Sequence, residues 1–222
     1  MNRAQNAREE ILNRIKSALQ DVPANEQPAE VVLERSYLQR SATEREAVIK
    51  RFIERVTDYK VHVQRIEAQK LAQAIATACT DRTIRRLVVP ADLLADWLPT
   101  QVELLRDEVP LNNKQLDESS GVLTGCALGI AQTGTIVLDG GAMQGRRVLT
   151  LLPDYHLCII REEQIVDLVP EAIMRLEDAV KQHGRPITFI SGPSATSDIE
   201  LNRVEGVHGP RTLDVLVVRA SQ

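Results

Sequence analysis

Three stretches of this sequence concentrate side chains able to do chemistry, and all three lie in its second half. In Ala131-Gln-Thr-Gly-Thr-Ile136, two hydroxyls flank a glycine. Gly134 permits a backbone in which successive N–H groups converge on an anion, and Thr133 and Thr135 add hydrogen bonds beside it. The plain alternative is a tight hairpin whose threonines merely favour β structure. Ser191-Gly-Pro-Ser-Ala-Thr-Ser-Asp-Ile-Glu200 follows an apolar run and carries more hydroxyls than a helix cap requires. Ser194 and Thr196 are placed to orient a ligand, and Ser197 or Asp198 can cap a short helix. A strand leading into a helix N-terminus is a natural seat for a phosphate or carboxylate. Gly206-Val-His208-Gly-Pro-Arg211 holds a histidine in a constrained turn, where imidazole can act as acid, base or ligand.

The other reactive residue types point elsewhere. His156 sits inside a strand-like run and reads as core, while His62 and His183 read as incidental. No second histidine stands at metal-ligand spacing to any of them, so no bound metal is expected. Cys79, Cys126 and Cys158 are odd in number and far apart. They form neither a disulfide framework nor a zinc or iron–sulfur motif, and Cys126 and Cys158 read as buried thiols. Neither a P-loop nor a GxGxxG fingerprint occurs, so standard nucleotide binding is not indicated.

The elements that must position these stretches follow from hydrophobic period. Residues 3–20 carry Ala7, Ile11, Ile15 and Leu19 on one face of an amphipathic helix, which is a candidate partner surface. A polar linker follows, and Ser41-Ala-Thr-Glu44 reads as a capping box opening a second helix. From residue 60 the pattern alternates: strand at 61–66, helix at 67–79, strand at 86–90, short helix at 92–98, strand at 102–105. Further strands are expected at 122–131, 135–138, 147–152, 156–160, 187–190 and 213–218, with a helix between Pro170 and Gly184. Apolar runs such as Val-Leu-Val-Val need cover on both faces. The expected fold is α/β, a layered mixed or parallel sheet, with a helical region at 1–58 and an α/β domain at 59–222.

Composition narrows the function. All 11 glycines lie from Gly121 onward, so turns and any site belong to the second half. No apolar run among the 222 residues is long enough for a bilayer span. The polar stretch after Met1 lacks the apolar core of a signal peptide, which points to a cytoplasmic protein. A net charge of -4 and 3% aromatic residues argue against nucleic-acid binding.

Taken in order, TGTIVL, RRVLTLLPDYHLCII, SGPSATSDIE and GVHGPRTLDVLVV resemble the LUD-domain family over roughly residues 120–222. The resemblance implies an α/β domain of the type shared by sugar-phosphate isomerases and CoA transferases. It also implies a part in oxidising L-lactate to pyruvate alongside iron–sulfur proteins, whose clusters sit in those partners, so no cofactor is expected on this chain. Carried over by position, the family's motif residues include Thr133, Gly134, Thr135, Arg147, His156, Ser194, Thr196, Asp198, Glu200, His208 and Gly209. Two positions depart from the family: Gln132 stands where glutamate is common, and Ala195 where arginine is common. The resulting expectation is an accessory subunit that binds a small carboxylate or phosphate. His208 and Asp198 are the candidate catalytic residues. Thr133, Gly134, Thr135, Arg147, Ser194, Thr196, Ser197, Glu200 and Gly209 are the candidate ligand-binding residues. The alternatives are a stand-alone sugar-phosphate isomerase or hydrolase and a purely structural module.

Overall fold

The computed structural model describes residues 3–22, 34, 36–193, 195–197, 203–205 and 209–219, with backbone alone at 3–6, 195–197 and 203–205. The chain divides into two compact units, Met1–Tyr37 and Leu38–Gln222. In the first, α1 (Arg3–Ala18) is the expected amphipathic helix, braced by an i,i+4 pair between Arg14 and Glu10 at 2.6 Å. Its apolar residues Ile11, Ile15 and Leu19 are exposed.

The second unit opens with α2 (Arg45–Asp58), β1 (His62–Ile66), α3 (Leu71–Asp81), β2 (Arg86–Val89), β3 (Glu103–Arg106) and α4 (Asn113–Asp117). Strands β4 (Gly121–Thr124), β5 (Leu128–Ile130), β6 (Thr135–Leu138), β7 (Tyr155–Arg161) and β8 (Ile165–Val166) follow. The unit ends with α5 (Val169–His183), β9 (Thr188–Ile190), β10 (Ala195–Ser197), β11 (Arg203–Glu205) and β12 (Thr212–Val218). Six strands form one sheet in the order β1-β12-β7-β4-β2-β3, every neighbouring pair parallel. A smaller mixed sheet, β8-β5-β6-β9, lies over one face of it, and β10 pairs with β11 as a hairpin.

Burial explains the layers. One face of the large sheet packs Leu87, Leu123, Leu157 and Leu216 against Leu71, Ile75 and Cys79 of α3. The other packs Cys158, Ile160, Val215 and Val217 against Val48, Ile49, Phe52 and Val56 of α2, together with Ile136 and Leu138 of the small sheet. The small sheet's outer face is covered by Ala172 and Leu176 of α5. That helix starts with a proline in its first turn and stops at Gly184 in the left-handed conformation, as its sequence predicts.

The structure corrects four local expectations. The apolar run 122–131 is two strands in different sheets, β4 and β5, because the chain turns at Gly125–Ala127, where the Gln164 amide donates to the carbonyls of Cys126 and Ala127 at 2.7 and 3.2 Å. Residues 147–150 form a 3-10 turn in place of a strand, since Leu149 is drawn down onto Val88, Leu116 and Val122. The short helix expected at 92–98 is a 3-10 turn at Ala95–Trp97. Ser41 caps no helix; its hydroxyl donates to Asp167, and α2 begins behind Glu44. Residues 195–197, where the sequence suggests a helix cap at Ser197, run as a strand opposite 203–205, and residues 198–202 lie outside the described residues. The compact unit that starts at Leu38 contains α2.

If α2 is core, Phe52→Ala should cost about 3–5 kcal/mol in urea denaturation, because the ring is fully enclosed. A loss below about 1 kcal/mol would mean that α2 is peripheral.

Candidate functional site

The Thr133–Thr135 turn and the Ser191 loop meet at the end of α2. Gly134 has φ +59°, and a Cβ there would lie 2.6 Å from the Arg55 backbone. Gly192 has φ +88°, and a Cβ there would lie 2.6 Å from Tyr59 Cβ. Between them runs a hydroxyl chain, Thr133 Oγ1 to Thr135 Oγ1 at 2.7 Å and Thr135 Oγ1 to Ser191 Oγ at 2.8 Å. The Tyr59 hydroxyl donates to the Thr133 carbonyl at 3.3 Å. Thr133, Gly134 and Thr135 therefore clamp the Ser191 loop in place, and Thr135 is buried in doing so.

Beyond that loop lies a cleft of about 240 Å³ over the first residues of β7 and β12. Its walls are Arg147, Thr150, His156, the Phe189–Pro193 segment, Gly209–Pro210 and Leu213. Arg147 and Thr150 also border a second cleft of about 510 Å³, with Asp92, Asp107, Asp139 and Gln144 on its walls. This larger cleft follows the carboxyl ends of β2 and β3, beside the reversal of strand order where open parallel sheets place ligands. Of the sequence-predicted residues, Arg147 and Gly209 thus share a cleft, with Thr133–Thr135 one hydrogen bond behind it. Thr196 and Ser197 lie on β10; Ser194, Asp198, Glu200 and His208 lie outside the described residues.

Two consecutive arginines show what is unusual about the cleft. Arg146 makes two bonds to the Asp107 carboxylate, at 2.7 and 2.6 Å, which hold that carboxyl below its ordinary pKa. Arg147 donates to Thr150 Oγ1 at 2.7 Å and to the Thr150 carbonyl at 3.3 Å, and among the described residues it has no carboxylate within ion-pair distance. Burial lowers its pKa, so its charge is partly stripped of water without a counter-charge. Such a guanidinium favours an incoming carboxylate or phosphate.

His156 is the cleft residue that its sequence context hides. The ring is 1% exposed, and its Nε2 lies 2.8 Å from Thr124 Oγ1. Its signals in the sequence are a polar residue within the apolar run Tyr-His-Leu-Cys-Ile-Ile and its place among the motif residues carried over from the family resemblance. Cys126 and Cys158 are buried, as expected, and the Cys158 thiol together with burial pushes Cys126 well above the usual thiol range. Among the described residues no cluster of His, Cys, Asp or Glu is built to hold a metal, and no helix is long and apolar enough to cross a membrane.

Burial, and then the charge of Arg147, lower the His156 pKa from 6.5 to about 4. The folded chain therefore takes up this proton less readily than the unfolded chain. The stability it contributes is complete above about pH 6.5 and is lost as pH falls towards 4, on the order of 3 kcal/mol in all. Urea denaturation from about pH 7 to about pH 4 should show this slope in the native protein, and His156→Gln should flatten it. An unchanged slope in the variant would show that the ring titrates freely.

Comparison with known proteins places this architecture. Residues 49–218 match the LUD domain, a span that opens inside α2 and closes in β12. A lactate utilization protein C of Deinococcus radiodurans is 49% identical over 174 residues, covering 78% of this chain and 81% of the relative. A lactate utilization protein C of Halalkalibacterium halodurans is 30% identical over 176 residues, covering 74% and 76%. The 1.70 Å crystal structure of a DUF162 family protein from Deinococcus radiodurans is 43% identical and superposes with a TM-score of 0.70, over 79% of this chain and 99% of that one. Both sheets, and the helix seated between them from Ile49 onward, fall inside the matched span, and the chain belongs to the LUD-domain family.

Proposed function

We propose that this chain serves L-lactate utilization in the cytoplasm as an accessory subunit. It holds a small carboxylate in the cleft and works beside iron–sulfur partner proteins. The observation that carries the ligand reading is Arg147, a partly desolvated guanidinium on a cleft wall with no acidic partner among the described residues. The names of its relatives support the pathway. Oxidation of L-lactate to pyruvate releases two electrons and two protons, and in this reading the electrons pass to clusters carried by the partners.

The cleft suits a three-carbon acid in size, at about 240 Å³. Arg147 supplies the charge, and the Ser191–Gly192 backbone, held by the Thr135 hydroxyl, borders the same space. Asp107 does not compete, because Arg146 engages it.

Calorimetric titration of the purified chain with L-lactate, pyruvate and inorganic phosphate tests the reading. At least one carboxylate should bind, and Arg147→Ala should weaken it roughly 10–100-fold, the size of a charge-assisted pair. In a reconstituted mixture with the partner proteins, lactate-dependent dye reduction should fall when this chain is left out. Undiminished binding by the variant sinks the ligand site, equal dye reduction without the chain sinks the accessory role, and preference for phosphate would favour a sugar-phosphate enzyme.

A further inference from the structure

A carboxylate held by Arg147 leaves His156 without a use, although the ring faces the same cleft. Its Nε2 is engaged by Thr124 Oγ1 at 2.8 Å, and among the described residues no other group bonds the ring. No fully enclosed side-chain nitrogen or oxygen among them lacks a partner. The second nitrogen, Nδ1, is therefore not fully enclosed, and the opening it meets is the cleft that the ring lines. A position that needed only filling would carry an apolar residue, as Cys158 and Ile160 do further along the same face. Burying an imidazole is costly unless its polar atoms find partners.

The Thr124 hydroxyl gives this ring a particular freedom. A hydroxyl can donate or accept, and Thr124 Oγ1 has no other partner among the described residues to set its direction. When the hydroxyl donates to Nε2, Nδ1 carries the proton and donates into the cleft. When it accepts from Nε2–H, Nδ1 is bare and accepts from the cleft. The ring stays neutral in either tautomer near pH 7, because burial and the charge of Arg147 keep it from taking a second proton.

We infer that His156 Nδ1 binds the oxygen on the carbon next to the carboxylate that Arg147 holds, so that the cleft selects 2-oxo and 2-hydroxy acids over plain carboxylates. This rests on the carboxylate reading of Arg147. A keto oxygen only accepts, and it takes the Nδ1–H tautomer. A hydroxyl donates to the bare Nδ1 of the other tautomer. Between the two, the ring's single proton is exchanged through water in the open cleft from Nδ1 to Nε2, while the Thr124 hydroxyl keeps its own proton and turns from donor to acceptor. One site thus holds both redox partners of a 2-hydroxy acid.

The test compares pyruvate, L-lactate and propionate, the last being a three-carbon acid without the neighbouring oxygen. In calorimetry the native chain should bind pyruvate and L-lactate about tenfold tighter than propionate, the size of one hydrogen bond. His156→Phe should erase the preference, so that pyruvate and L-lactate bind no tighter than propionate does to the same variant. The second readout needs no variant: ¹⁵N spectra of the histidine rings should show Nδ1 protonated with pyruvate, Nε2 protonated with L-lactate, and no such change with propionate. Equal affinity for the three acids, still sensitive to Arg147→Ala, overturns the role of His156 and leaves the anion site standing. The same tautomer with pyruvate and L-lactate overturns the proton shift. Failure of all three acids to bind removes the anion site and this inference with it.

Discussion

Helix α2 approaches the backbone of the domain so closely at three points that glycine alone fits without displacement. A Cβ on Gly129 would stand 2.8 Å from the Phe52 ring and 2.6 Å from Ile160. At Gly134 it would strike the Arg55 backbone, and at Gly192 the Tyr59 side chain. The helix is wedged between the two sheets, and its contacts set where β5, the turn after it and the Ser191 loop can lie. Because packed interiors resist compression, this one docking fixes the relative height of three segments remote in sequence. The cleft is what is left between them.

Electrostatics then distinguishes the cleft from its surroundings. Elsewhere in the second unit, buried carboxylates are matched. Asp214 receives Arg82 at 2.8 Å and the Tyr155 hydroxyl at 3.1 Å. Burial alone would raise the pKa of Asp167, but hydrogen bonds from Ser41, Thr43 and Arg51 outweigh that and hold it below the ordinary range. Arg147 breaks the pattern: among the described residues its guanidinium donates only to Thr150. A partly dehydrated charge with neutral partners destabilises the empty protein slightly and favours an incoming anion, and the proposed ligand site rests on it more than on any glycine or hydroxyl nearby.

Much of the framework was legible from residue pattern. The β/α alternation after residue 60 reports itself through the switch of hydrophobic period between 2 and 3.6. The proline at the start of α5 and the glycine at its end bracket that helix because each residue constrains its own backbone dihedral. Continuously apolar runs were less informative. Between Val122 and Ala131, every side chain is small or apolar whichever sheet it enters, so periodicity could not reveal that the chain leaves one sheet for another at Gly125–Ala127. At 147–150, the same ambiguity made a 3-10 turn look like a strand.

The sequence by itself determined the layered α/β class, the concentration of turns after Gly121 and the family, because period, glycine placement and motif order are local properties of the chain. Tertiary structure alone decided which polar groups face one another. The hydroxyls of Thr133 and Thr135 turned inward to clamp the Ser191 loop, and His156, which reads as core, became a wall of the cleft. Arg147 and Arg146, neighbours of the same type, were separated in role by where Asp107 happens to fold. Charge compensation and solvent access depend on distances between remote segments, and no local pattern encodes those.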